Sequence, residues 1–162
     1  MSQTVPQADT RVEMTQLVLP SHTNNHGTLF GGQLAAWIDT AAAVSAMRFG
    51  RGDVVTASMD ELHFVRPVHR GMIVTLRAQV NQAWRSSMEI GVQAESEDPE
   101  TGERRVCCTA YLTFVALTPE GRPRALPGLA VDDPEAGSRR REEAEARRSH
   151  RLQVREARRK LT

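Results

Sequence analysis

The sequence predicts an α+β fold in which one long buried helix packs on a five-stranded antiparallel sheet, and three observations predict it. From Gln33 to Met47 the chain is apolar or small on nearly every helical face (Leu34, Ala35, Ala36, Trp37, Ile38, Ala41, Ala42, Ala43, Val44, Ala46), and a helix apolar all round is a buried one. Later segments alternate apolar and polar residues with period two and are joined by short turns, the mark of antiparallel strands with one buried face. The order is one strand, the helix, then four strands, so helix and sheet form two layers.

Taken in order, residues 1–10 are polar, include Pro6 and read as a flexible, frayed start. Arg11 to Leu19 alternates, with Val12, Met14 and Val18 on one side, and Pro20 closes this first strand. A polar loop from Ser21 leads to Gly31-Gly32 and the helix. At roughly 17 residues the helix is about 25 Å long, and Gly50 is its expected C-terminal cap. Val54 to Arg66 is rich in β-formers and ends at Pro67. Met72 to Val80 alternates, and so does Met88 to Ala94, after the connection Arg85-Ser86-Ser87. Asp98 to Gly102 has hairpin-turn composition, and Arg105 to Leu117 supplies the last strand. The body therefore runs from residue 11 to 127. Residues 128–137 read as a Gly/Pro/Asp linker, and residues 138–162 as a charged tail, helical by propensity. Its thin apolar stripe (Leu152, Val154, Ala157, Leu161) suits a solvated tail or a helix docking on a partner subunit.

The 162 residues suggest one such domain. The net charge of +1 is unevenly spread, with 11 Arg against 16 acidic residues in 1–137 and 10 basic against 4 acidic residues beyond. A mildly acidic body gives no basic face for nucleic acid. No apolar run reaches the ~18 residues of a membrane span, and the start lacks the basic and apolar regions of a signal peptide. The expectation is a soluble cytoplasmic protein. Cys107 and Cys108 are adjacent, so on a strand they point to opposite faces and read as two small apolar residues.

One residue of the helix breaks its pattern. Asp39 is the only charge between Gln33 and Met47, and burying a lone carboxylate costs several kcal/mol unless it is paired or neutralised. Just before the helix, Gly31 and Gly32 place their N–H groups among the unpaired donors of a helix N-terminus, where the macrodipole favours negative charge. A carboxylate and an oxyanion donor near one pocket suggest attack on a carbonyl. There is no G-x-S-x-G elbow, and the five His (His22, His26, His63, His69, His150) show no metal-ligand spacing. Asp39 is the candidate base or nucleophile, with water as co-reactant. Asn24 and Asn25 read, on composition, as loop-forming residues.

The run PSHTNNHGTLFGGQLAAWID resembles the signature of the hotdog-fold acyl-CoA thioesterases, with its P-x-x-x-N-x-x-G-x-x-x-G-G followed by a helix Asp. The similarity continues through VVTASMDELHFVRPVHRG, RSSMEIGV, the Thr-Gly turn and AYLTFVAL, and is strongest to the single-hotdog bacterial broad-specificity hydrolases. It implies a five-stranded sheet wrapped around the helix and edge-to-edge homodimers, often trimers of dimers, with the active site at the dimer interface. It also implies acyl-CoA as substrate, no cofactor and no metal. By position, Asp39 matches the carboxylate that faces the other subunit's Asn24, and Gly31 or Gly32 the N–H that polarises the thioester carbonyl. Thr56, Ser58, Arg66, Arg85, Ser86 and Ser87 fall in blocks that line the coenzyme A groove, and the arginines suit phosphate. Two alternatives within the superfamily are a regulator that holds acyl-CoA without turnover, which would not need the carboxylate, and a dehydratase, which would want a His in the helix.

Overall fold

The computed structural model of the chain describes residues 3–161. Strand β1 (Thr4–Pro6) leads through a 3-10 turn (Gln7–Thr10) into β2 (Val12–Leu17), and a loop delivers helix α1 (Gly31–Gly50). Four long strands follow: β3 (Val54–Phe64), β4 (Ile73–Ala83), β5 (Ser87–Glu97) and β6 (Arg104–Ala116). A short β7 (Gly128–Ala130) and helix α2 (Pro134–Arg159) complete the chain. Five strands form the expected antiparallel sheet in the order β2-β4-β5-β6-β3, while β1 and β7 pair as a separate parallel ribbon. Among the described residues no helix is long and apolar enough to cross a membrane.

The alternation read from the sequence sets the inner face. Val74, Leu76, Val80, Met88, Ile90, Leu112 and Phe114 are buried against Ile38, Ala41, Ala42, Ala46 and Phe49 of α1. Alanines on the helix let it lie close to the sheet, and each larger side chain buried there contributes ~1.5–3 kcal/mol. The helix is not buried all round, however: Gly32, Ala36, Thr40 and Met47 are exposed, and Asp39 is half-buried. The C-terminal cap also differs from expectation. Arg51, not Gly50, takes the left-handed conformation (φ 51°) and sends its N–H to the Met47 carbonyl at 2.9 Å. Gly50 is buried, and a Cβ there would meet the Leu126 side chain at 3.4 Å.

Both ends of the chain are more ordered than their composition suggests. In the start read as frayed, Met1 and Ser2 lie outside the described residues, but Val5, Gln7 and Thr10 are buried. Beyond the end of β2, Gln7 donates to the Val80 carbonyl (2.7 Å) and Thr10 accepts the Val80 N–H (3.1 Å), extending the ladder with side chains. The stretch read as a linker holds β7 and the start of α2, where Asp133 caps the helix by accepting the N–H groups of Glu135 and Ala136. Helix α2 itself lies on the sheet's outer face. Glu145 accepts from Trp84 Nε1 (2.6 Å), Arg147 forks onto Glu89 (2.7 and 3.0 Å) and stacks on the Tyr111 ring, and Arg151 bonds Asp60 (2.9 Å). Glu89, which alternation assigns to a solvated face, is 1% exposed.

Candidate active site

Asp39 sits two turns into α1, on the side of the helix that faces edge strand β3. Thr56 Oγ1 donates to Asp39 Oδ1 at 2.8 Å, which fixes the carboxylate and leaves its second oxygen with no hydrogen bond among the described residues. Directly after Thr56 the strand has a bulge. Val54, Val55 and Thr56 pair with Ala116, Val115 and Phe114, but the next pair is Ser58 with Thr113, so Ala57 is an extra residue. An extra residue reverses which face the following side chains take. Thr56, opposite the core residue Phe114, points to α1, whereas Ser58 points to the outer face and donates to Asp60 Oδ2 (3.2 Å). A second shift between Asp60 and His63, with Glu61 at φ 50°, returns Phe64 to the helix side.

Asn24 is held by its own loop. Its Oδ1 accepts the N–H groups of His26 (2.9 Å) and Thr28 (3.2 Å), its Nδ2 donates to Thr28 Oγ1 (2.9 Å), and the backbone closes the turn through Asn24 N–H to Thr28 carbonyl (2.9 Å). Thr28, which the sequence reading did not single out, is thus the residue that sets the Asn24 side chain. The loop is exposed and shares no hydrogen bond with Asp39 within one chain, among the described residues. Behind it, His22 accepts the Leu19 N–H and meets Trp37 edge-on at 5.0 Å, tying the loop to α1.

At the helix start, the N–H groups of Gln33 and Leu34 both go to the Phe30 carbonyl, and those of Gly31 and Gly32 have no partner among the described residues. They are donors without an intrahelical acceptor. A Cβ on Gly31 would meet the Phe64 ring at 3.4 Å, and one on Gly32 would come within 2.7 Å of the Phe30 ring. Gly31 and Arg66 line one cavity of about 280 Å³ with Leu29, Leu34 and Phe64. Along the helix axis Asp39 is about 10 Å from Gly32, too far for both to touch one reacting carbonyl within a single chain.

The remaining residues lie at the β4–β5 turn and on β3. Arg85, Ser86 and Ser87 form the turn between β4 and β5, closed by Trp84 N–H to the Ser87 carbonyl (2.8 Å), with the Arg85 side chain exposed. Ser87 pairs with Val115, which pairs with Val55, so this turn lies one row from Thr56, about 10 Å away across two strand spacings, with Ser87 on the face opposite to Thr56. Ser58 lies on the outer face, toward α2 rather than α1.

A family model described as the thioesterase superfamily matches residues 26–103. The Bacillus subtilis acyl-CoA thioester hydrolase YkhA is 42% identical over 78% of this chain and 74% of its own length. Mouse acyl-coenzyme A thioesterase 11 is 49% identical over 66% of this chain, which spans only 18% of that longer protein. Among solved structures, an acyl-CoA hydrolase of Staphylococcus aureus in complex with butyryl coenzyme A and coenzyme A is 35% identical, with a TM-score of 0.82 over 96% of this chain and 98% of that one. An apo hexameric acyl-CoA thioesterase is 37% identical, with a TM-score of 0.89 over 94% of this chain and 97% of that one. The Staphylococcus aureus enzyme has also been solved with an Asn, an Asp or a Thr replaced by Ala, and these positions are separated in its chain by the same intervals as Asn24, Asp39 and Thr56 here.

Proposed function

The chain belongs to the thioesterase superfamily, and on that premise we propose that it hydrolyses acyl-coenzyme A thioesters to the free acid and coenzyme A. The observation that carries the reading is the Thr56–Asp39 hydrogen bond. It pins one oxygen of a half-buried carboxylate and leaves the other to take a proton from water. Water oxygen then attacks the thioester carbonyl carbon, and the resulting oxyanion rests on the N–H of Gly31 or Gly32. Collapse expels the coenzyme A thiolate, which takes up the proton that Asp39 received. Direct attack by Asp39 would instead pass through a mixed anhydride that water opens. Asn24 orients the water or the substrate. Arg66 and the Arg85-Ser86-Ser87 turn contact the phosphates of coenzyme A, Thr56 serves the carboxylate, and Ser58, on the outer face, bonds Asp60.

The site is built between two copies. The ~10 Å from Asp39 to the glycine turn of its own chain supports this, and so does the surface left open: Ala36 and Met47 on α1, Phe30 and Phe64 near it, and the unpaired edge of β3. Pairing β3 to β3 across a two-fold axis brings Asp39 of one chain toward the Asn24 loop and Gly31-Gly32 of the other. The relatives solved as hexamers support a larger closed assembly of such dimers.

Asp39→Asn tests this. Thiol release from short-, medium- and long-chain acyl-coenzyme A should fall by about 10²–10⁴-fold, with the oligomer intact. A wild type inactive across the whole panel, or a fully active variant, overturns the assignment. Single turnover in ¹⁸O water tests for the covalent route, because label enters the Asp39 carboxylate only when Asp39 has attacked and water opens the anhydride at the Asp39 carbonyl.

A further inference from the structure

Helix α2 carries a stripe of one charge. Arg147, Arg151, Arg155 and Arg159 follow one another at intervals of four, and Arg158 lies three beyond Arg155. That spacing puts all five on one side of the helix, and all five line one cavity of about 770 Å³ between α2 and Ser58 to Glu61 of β3. Like charges so spaced repel one another. The first two are balanced, since Arg147 forks onto Glu89 (2.7 and 3.0 Å) and Arg151 bonds Asp60 (2.9 Å). These contacts account for where the helix lies, but not for the rest of the stripe. Among the described lining residues, Glu61 is the carboxylate left to face Arg155, Arg158 and Arg159. Arg159 is engaged within the chain, whereas Arg155 and Arg158 have no hydrogen bond or ion pair among the described residues. Three guanidiniums against one carboxylate leave a surplus of two positive charges, whichever of the three Glu61 serves. His150 lines the same space and adds no negative charge.

We infer that this cavity binds an oligophosphate, a short run of linked phosphoryl groups. Positive charge gathered in a concave site with protein walls draws anions more strongly than the same charge on a flat surface. A surplus of two calls for an anion that carries at least two negative charges. Guanidinium forks match the paired oxygens of a phosphoryl group. Arg155 and Arg158 are neighbours on the helix surface, with Cβ atoms about 5–6 Å apart, so they reach adjacent phosphoryl groups of one ligand. The cavity lies on the outer face, with β3 between it and Asp39, and its ligand does not depend on the hydrolysis proposed above. The linked phosphates of coenzyme A and a free oligophosphate share this chemistry.

The test is calorimetric titration of the full-length protein with sodium tripolyphosphate. Binding should be saturable, with one anion per chain, and should weaken as salt is raised. Arg155→Ala/Arg158→Ala, at two exposed positions, should weaken it about tenfold or more, the factor that hydrogen bonds to charged groups are worth, with the circular dichroism spectrum unchanged. Glu61→Gln should tighten it by removing the opposing carboxylate. Arg141→Ala, exposed on the same helix but outside the cavity, should leave it as it is. Repeating the titration on protein saturated with coenzyme A separates the sources. Lost binding means that the phosphates of coenzyme A fill the cavity, and unchanged binding means that a free oligophosphate does. A wild type that takes up no tripolyphosphate overturns the inference. So does an Arg141→Ala variant weakened as much as the double variant, because the attraction is then diffuse charge and not a site.

Discussion

Helix α1 covers the inner face of the sheet with Ile38, Ala41, Ala42, Ala46 and Phe49, all fully buried, whereas α2 covers the outer face with Glu145, Arg147 and Arg151. The inner contact is non-directional and gains stability in proportion to apolar area. The outer contact is directional, because the Arg147 guanidinium (11% exposed) fits Glu89 (1% exposed) in one geometry only, flanked by Asn81 and by the Tyr111 ring. Desolvating two charges consumes most of what their attraction returns. The inner face thus holds the domain together, and the outer face fixes where α2 lies.

Breaking the outer contact from one side should have the largest effect. Arg147→Met strands Glu89 as an unpaired buried carboxylate and should cost about 3–5 kcal/mol, read from the urea midpoint. The double variant Arg147→Met/Glu89→Met should recover most of that loss, because it removes both desolvation costs. A double variant as unstable as the single would mean that the pair itself stabilises the fold. On the inner face, Leu112→Ala, at a fully buried position, should cost about 3 kcal/mol, with no second substitution able to cancel it by charge.

The smallest effect is one of pH, and it belongs to β6. Burial pushes the thiols of Cys107 and Cys108 up to about 11 from the ordinary value of 9.0. The unfolded chain therefore releases these protons first, and stability should decline as pH rises from about 9 through about 11. Cys107→Ala/Cys108→Ala should flatten that decline, and an unchanged slope would place its cause elsewhere.

The same contrast explains what could be read from the sequence. The strands that alternate, and the helix that does not, announce the inner face through apolar periodicity. Asp39 stands out because it interrupts that pattern, and Gly31-Gly32 and Asn24 because their spacing resembles a family's. The outer face gives no such signal. Glu89 alternates as a solvated residue would, its partner Arg147 lies 58 positions away, and one arginine among the tail's ten basic residues is indistinguishable from its neighbours. The bulge is equally silent. Thr56 and Ser58 are two apart, which in a regular strand means one face, and Ala57 carries no mark of being the residue left over. At the end of α1 composition points to Gly50, but the left-handed position falls one residue later, on Arg51 (φ 51°), a residue type that does not advertise it.

Seen as mechanics, the bulge joins what the layers separate. From α1 to α2 the path runs through Asp39 to Thr56 (2.8 Å), along the backbone past Ala57, then from Ser58 to Asp60 (3.2 Å) and from Asp60 to Arg151 (2.9 Å). Three hydrogen bonds and five residues of strand form a rod through the sheet, gripped by one helix at each end. Twisting β3 about its own axis at Ala57 would strain both grips together, so along this strand neither face can relax alone.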